Sequence, residues 1–113
     1  MGVLVTALAG VPLLTVTGEV DHLPAPALER SVQTAFLING MRLLVDLAGC
    51  QYLDSGGLSV FLYALREVKG KGWLGVIAPS GNLLRLFEIT GLTADPDFRV
   101  FASSEEAMAA VEG

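Results

Sequence analysis

A short apolar run that leads into a helical repeat constrains the fold of this chain more than any other feature. Residues 43–47 read Leu-Leu-Val-Asp-Leu, which is typical of a buried strand. Further along, apolar side chains recur at helical spacing, at Leu58, Phe61, Leu62, Leu65 and Val68. The sequence therefore predicts a strand followed closely by a helix that begins near Ser55 or Gly56.

Strands and helices alternate along the rest of the sequence. Apolar runs bounded by turn residues predict strands at residues 3–8, 13–17, 42–47, 73–78 and 98–102. Helices are predicted over residues 26–37, 55 to about 69 and 80–90, and Ser103 and Glu106 have the capping-box spacing that begins a fourth. This alternation predicts an α/β fold, a largely parallel or mixed sheet of about five strands flanked by about four helices. The 113 residues suffice for a single domain, expected over residues 1–113.

Charge and cysteine content narrow the classes of partner. The net charge of −5, without a cluster of basic residues, argues against nucleic acid and against an anionic membrane surface. The single cysteine, Cys50, cannot form an internal disulfide, which fits a reducing cytoplasm. The uncharged first eighteen residues are interrupted by Gly10-Val11-Pro12 and lack a basic start, which favours two strands over a targeting segment. An apolar content of 52% leaves a homodimer open.

Ser55 is the candidate functional residue. A hydroxyl at the start of a helix lies among amides that have no intrahelical acceptor, at the positive end of the helix dipole. Such a position suits a phosphate, so Ser55 is a candidate phosphorylation site. The competing interpretation is that Asp54 and Ser55 only cap the helix, a role worth ~1 kcal/mol. Gly56 and Gly57 favour the functional interpretation, because they weaken the first helical turn and allow another backbone to approach closely.

Three enzyme or ligand classes fit the sequence less well. A hydrolase nucleophile elbow has the form G-x-S-x-G, but Leu53 stands at its first glycine and His22 is the only histidine. No phosphate-binding glycine motif with a following lysine is present, so no nucleotide cofactor is expected. No metal is expected, because chelating spacing is absent from Asp21, Asp46, Asp54 and Asp95.

Three segments, in order, carry a resemblance to a known family. They are Thr-Gly-Glu-Val-Asp at residues 17–21, residues 44–58 with Leu-Asp-Ser-Gly-Gly-Leu at their end, and Leu-Arg-Leu-Phe-Glu-Ile-Thr-Gly-Leu at 84–92. They resemble, respectively, the G-E-x-D turn after the second strand, the signature around the acceptor serine, and the R-x-F-x-x-x-G-L helix end of the STAS domain family. The specific likeness is to the bacterial anti-sigma factor antagonists, and it spans nearly the whole chain.

The resemblance implies that Ser55 accepts a phosphoryl group. In this family the unphosphorylated antagonist binds an anti-sigma factor that is itself a serine kinase, and a sigma factor is freed. The kinase then uses ATP to phosphorylate the serine, which ends the complex, and a metal-dependent serine phosphatase resets it. The implied docking surface comprises Asp21, His22, Asp54, Gly56, Gly57 and Leu58. Gly56 departs from the family, because relatives often have Ser or Thr there.

This resemblance makes the domain a kinase substrate and not an enzyme. Phosphorylation would add a charge of about −1.5 to −2 next to Asp54. Two unit charges 4 Å apart repel by about 4 kcal/mol at an effective dielectric constant of 20, which corresponds to ~10³-fold weaker binding. We therefore expect a local electrostatic switch with little change in the backbone. The alternative is a STAS scaffold subunit of a transporter, lipid-trafficking or signalling complex, in which Ser55 is not phosphorylated.

Overall fold

The structure, a computed structural model, describes residues 1–21, 23–39 and 41–112. Within these residues the strands are β1 (Gly2–Leu8), β2 (Val11–Val20), β3 (Arg42–Leu53), β4 (Trp73–Ile77) and β5 (Phe98–Phe101). The helices are α1 (Ala25–Asn39), α2 (Ser55–Val68), α3 (Gly81–Ile89) and α4 (Ser104–Glu112), and a short 3-10 helix spans Leu92–Ala94.

The five strands of the described residues form one mixed sheet in the order β1-β2-β3-β4-β5. β1 and β2 form an antiparallel hairpin, whereas the remaining neighbours pair in parallel. Parallel neighbours need a crossover, and α1, α2 and α3 supply one each. The predicted mixed sheet with four flanking helices is confirmed.

Buried apolar side chains pack on both faces of the sheet. The larger cluster joins alternate residues of β2, β3 and β4 to α1, α2 and α3. Phe87 of α3 lies at its centre, with ring centroids 5.4 Å from those of both Phe61 and Phe98. On the other face, Ala107 of α4 packs with Leu44 and other side chains of the sheet. β4 is buried along its whole length, as predicted for a strand covered on both faces.

The predicted caps of the last two helices are present. The hydroxyl of Ser80 accepts a hydrogen bond from the amide of Leu83 at 3.2 Å, and α3 ends before Gly91, whose φ is +84°. The hydroxyl of Ser103 likewise accepts from the amide of Glu106 at 3.1 Å. Every helix in the described ranges is too short or too polar to span a bilayer.

β2 and β3 extend further than the apolar patterns predict. β2 was expected to end at residue 17 and β3 at residue 47, but the two strands pair as far as Val20 and Leu53. Two register shifts interrupt the pairing, and Gly18, with φ of +83°, lies at the second of them. The Gly-Glu-Val segment predicted as a turn after β2 therefore belongs to β2. This extension brings the end of β2 next to the start of α2.

Candidate functional site

Asp54, and not Ser55, caps α2. Asp54 has an extended backbone, and its Oδ1 accepts a hydrogen bond from the amide of Gly57 at 3.0 Å. Its carbonyl accepts from the amide of Leu58 at 2.8 Å, which is the first intrahelical bond. Ser55 is therefore the first helical residue, and the capping role that the sequence left open for this pair belongs to Asp54.

The Ser55 side chain is exposed, and its hydroxyl makes no hydrogen bond to any residue that the structure describes. Helix geometry gives the amides of Ser55 and Gly56 no intrahelical acceptor. These two residues begin α2, which is 14 residues long, so its dipole places partial positive charge at this end. The hydroxyl is thus accessible, and a phosphate added to it would lie close to unpaired backbone donors.

A second loop is fixed beside the start of α2. The amide of Asp54 donates to the carbonyl of Val20 at 3.2 Å, so the turn that follows β2 begins next to the helix cap. Within that turn, Asp21 Oδ1 accepts from the amide of Leu23 at 3.0 Å and the Asp21 carbonyl accepts from the amide of Ala25 at 3.1 Å. The Asp21 turn therefore begins next to Asp54, the residue that precedes the candidate acceptor.

The structure places the other predicted docking residues as follows. Asp21, Asp54, Gly56 and Leu58 are half-buried at the surface. Gly57, also predicted to lie at the docking surface, is buried in the first turn of α2, and a Cβ added there would lie 2.5 Å from the Val20 carbonyl oxygen. The glycine is needed for the close approach of α2 to β2. His22 lies outside the described residues.

The structure also contains a groove next to Ser55 that the sequence did not predict. It lies between the first turns of α1 and α2, has a volume of about 240 Å³, and is lined by Ala25, Pro26, Glu29, Gly56, Ser59 and Val60. Within α2, the sequence does contain one indication of the groove. Ser59 follows Ser55 by four residues, so the two side chains lie one turn apart on the same face of the helix. Glu29 belongs to another helix, and no local pattern connects it with Gly56.

Other chemistry finds little support in the described part of the chain. Its His, Cys, Asp and Glu side chains form no group of three or more able to hold a metal ion. Burial raises the pKa of the Cys50 thiol, whose Sγ is 3.6 Å from the carbonyl oxygen of Tyr52. A protonated, buried thiol is a poor nucleophile. The hydrolase interpretation required His22, which lies outside the described residues.

A family model and two named relatives agree on the family to which the chain is similar. Residues 4–100 match the family model described as "Mlab, STAS domain". The anti-sigma-F factor antagonist RsfB of Mycobacterium tuberculosis is 30% identical over 104 residues, which cover 92% of this chain and 84% of the relative. The anti-sigma-B factor antagonist of Bacillus subtilis is 36% identical over 80 residues, covering 70% of this chain and 72% of the relative.

Solved structures agree with this assignment. A crystal structure of an anti-sigma factor antagonist from Mycobacterium paratuberculosis aligns with a TM-score of 0.85 and 27% identity, over 99% of this chain and 94% of that one. SpoIIAA in its unphosphorylated form aligns with a TM-score of 0.78 and 20% identity over 99% of each chain, which shows the shared fold. With its sheet order, its junction serine and a match over residues 4–100, the chain belongs to the STAS domain family, and the relatives compared here are anti-sigma factor antagonists.

Proposed function

We propose that this domain is an anti-sigma factor antagonist that is switched by phosphorylation of Ser55. Its unphosphorylated form binds an anti-sigma factor with serine-kinase activity, and the sigma factor held by that kinase is released. The observation that carries the proposal is the exposed Ser55 hydroxyl at the first position of α2, in a chain whose relatives are named antagonists. The surface around it comprises Asp21, Asp54, Gly56 and Leu58.

Phosphoryl transfer would use the Ser55 hydroxyl as the nucleophile. Its oxygen attacks the γ-phosphorus of ATP bound to the kinase, the bond from that phosphorus to the bridging oxygen of ADP breaks, and the hydroxyl proton passes to a base of the kinase. Asp54 is a positioning residue in this scheme, because its Oδ1 already accepts the hydrogen bond from Gly57 at 3.0 Å. The domain presents the hydroxyl and is consumed as a substrate.

The phosphate would end the complex through its charge. In the free domain, water and the first-turn amides of α2 solvate it. Beneath a partner the phosphate loses that water, while Asp54 lies next to it in the sequence and Asp21 lies in the neighbouring loop. Repulsion of about 4 kcal/mol for one pair of unit charges 4 Å apart, at an effective dielectric constant of 20, weakens binding ~10³-fold. A serine phosphatase would then remove the phosphate and restore binding.

The test is phosphorylation of the purified domain by the anti-sigma factor kinase of its host, followed by intact-mass measurement and peptide mapping. We expect one phosphate, on Ser55, and none on the Ser55→Ala variant, which should still bind the kinase in the presence of ADP. Ser104→Ala is the matched control, since Ser104 is also the first residue of a helix capped by the preceding residue. An unmodified wild-type domain would contradict the proposal and favour the scaffold alternative.

A further inference from the structure

The groove between α1 and α2 is not used by the phosphoryl transfer itself. Its volume of about 240 Å³ is below the range of about 300–1,000 Å³ that holds drug-sized ligands. The groove is open to solvent beside Gly56, which directly follows the acceptor serine. Its size and place suit one side chain of a protein that docks over Ser55 better than a nucleotide or a metabolite.

The two polar side chains of the groove, Glu29 and Ser59, offer hydrogen-bond acceptors. The carboxylate of Glu29 makes no hydrogen bond or ion pair with any residue in the described ranges. The Ser59 hydroxyl donates its proton to the Gly56 carbonyl at 2.7 Å, which leaves its oxygen lone pairs to accept. A ligand that meets these two side chains donates hydrogen bonds to them, and the Glu29 charge favours a cation on the α1 side of the groove.

The remaining walls are apolar. Ala25 and Val60 are buried and form the inner wall, and Pro26 lies at the rim. Lysine and arginine combine an aliphatic stem, which packs on apolar surface, with a charged head that carries only donors. The apolar wall of the groove would pack against the stem of such a side chain, and the Glu29 carboxylate would pair with its charged head.

We propose that the groove receives a basic side chain of the anti-sigma factor that docks on Ser55, and that Glu29 is its ionic partner. This inference rests on the proposed function, because continuity with the Ser55 surface through Gly56 identifies the occupant. It adds a specificity contact on α1, outside the three sequence segments that carry the resemblance to the family.

The experiment measures the dissociation constant between the domain and the anti-sigma factor kinase of its host, with ADP present, for the wild type, Glu29→Gln and Glu29→Lys. Loss of a hydrogen bond to a charged group predicts roughly tenfold weaker binding for Glu29→Gln. Glu29→Lys should bind at least about a hundredfold more weakly, since it adds like-charge repulsion. The dependence of the dissociation constant on salt should also become shallower for Glu29→Gln.

Glu105→Gln and Glu105→Lys provide matched controls, because Glu105 is exposed in α4, the helix that packs on the other face of the sheet. Both should bind like the wild type. Unchanged or tighter binding of Glu29→Lys, in a domain still phosphorylated on Ser55, would overturn the groove proposal and leave the proposed function standing. A wild-type domain that neither binds the kinase nor accepts phosphate would refute both.

Discussion

The amide nitrogen of Asp54 lies 3.2 Å from the carbonyl oxygen of Val20 and donates a hydrogen bond to it. This bond joins the end of β2 to the residue that caps α2, although the two residues are far apart in the sequence. It holds the Asp21 turn and the first turn of α2 side by side. The surface around Ser55 is therefore built at the carboxyl ends of β2 and β3, and its geometry depends on strand pairing as well as on loop sequence.

Replacement of Asp54 by Ala should lower the free energy of unfolding by about 1 kcal/mol, because the cap to the Gly57 amide is lost. Asp54→Asn should retain most of this stability, since its side-chain oxygen can still accept. Urea unfolding provides the measurement. If Asp54 only positions Ser55, the Asn variant should also be phosphorylated at close to the wild-type rate. A stable Asn variant that accepts no phosphate would point to Asp54 as a proton acceptor.

Gly57→Ala should destabilise the domain by about 1–3 kcal/mol. The added Cβ would lie 2.5 Å from the Val20 carbonyl oxygen, so α2 must move away from β2. Gly81→Ala is the control, since a Cβ at this first residue of α3 meets nothing within 4 Å. Thermal and urea unfolding of both variants test the difference, and equal stabilities would show that α2 is not held this closely.

Phe87→Ala should lower the free energy of unfolding by about 3–5 kcal/mol, because it opens a cavity between the rings of Phe61 and Phe98. Ile89→Ala, two residues along the same helix at a side chain that is 72% exposed, should change stability by less than about 0.5 kcal/mol. Denaturant titration at one pH compares the two. A small effect at Phe87 would mean that the described core does not depend on α3.

The ion pair between Lys69 and Asp95 should make the free energy of unfolding depend on pH in the acidic range. The hydrogen bond from Lys69 holds the pKa of Asp95 below its ordinary value. A carboxyl with a lower pKa in the folded chain stabilises the fold above its unfolded-state pKa, and that contribution is lost as the pH falls through the folded-state pKa. Asp95→Asn should therefore be less stable than the wild type at neutral pH.

The difference between these two proteins should begin to shrink as the pH falls below about 4, where the carboxyl of the unfolded chain takes up its proton, and should be lost below the lower folded-state pKa. Urea unfolding at neutral pH and near pH 3 would show this convergence. In the wild type, Asp95 Oδ1 accepts a hydrogen bond from the amide of Asp97 at 2.9 Å. The side-chain oxygen in the Asp95→Asn variant can still accept this bond, so the substitution mainly removes the charge that pairs with Lys69. A gap that is the same at both pH values would exclude the ion pair as its source.

Much of the fold was predictable because its signals are local. Helical spacing marked α2, a continuous apolar run marked β4, and Ser80 marked the start of α3. The ends of β2 and β3 were not predictable in the same way. Their last residues are held by pairing with each other across register shifts, and this pairing is not apparent from either segment alone.

The candidate site was predictable to a similar degree. The position of Ser55 at a helix start followed from the sequence, but the sequence did not show which of Asp54 and Ser55 caps the helix, because that depends on the exact residue at which α2 begins. Gly57 has no side chain whose polarity could indicate its burial. Glu29 and Gly56 line the same groove only because α1 and α2 pack together. The position of Glu29 in the groove could therefore be found only from the tertiary structure.

Because the helix cap belongs to Asp54, α2 keeps its first hydrogen bonds whether Ser55 carries a hydroxyl or an ester. Adding or removing the phosphate therefore need not open the start of the helix. Any change in stability should come from the new contacts of the phosphate with the first-turn amides, and not from loss of the cap.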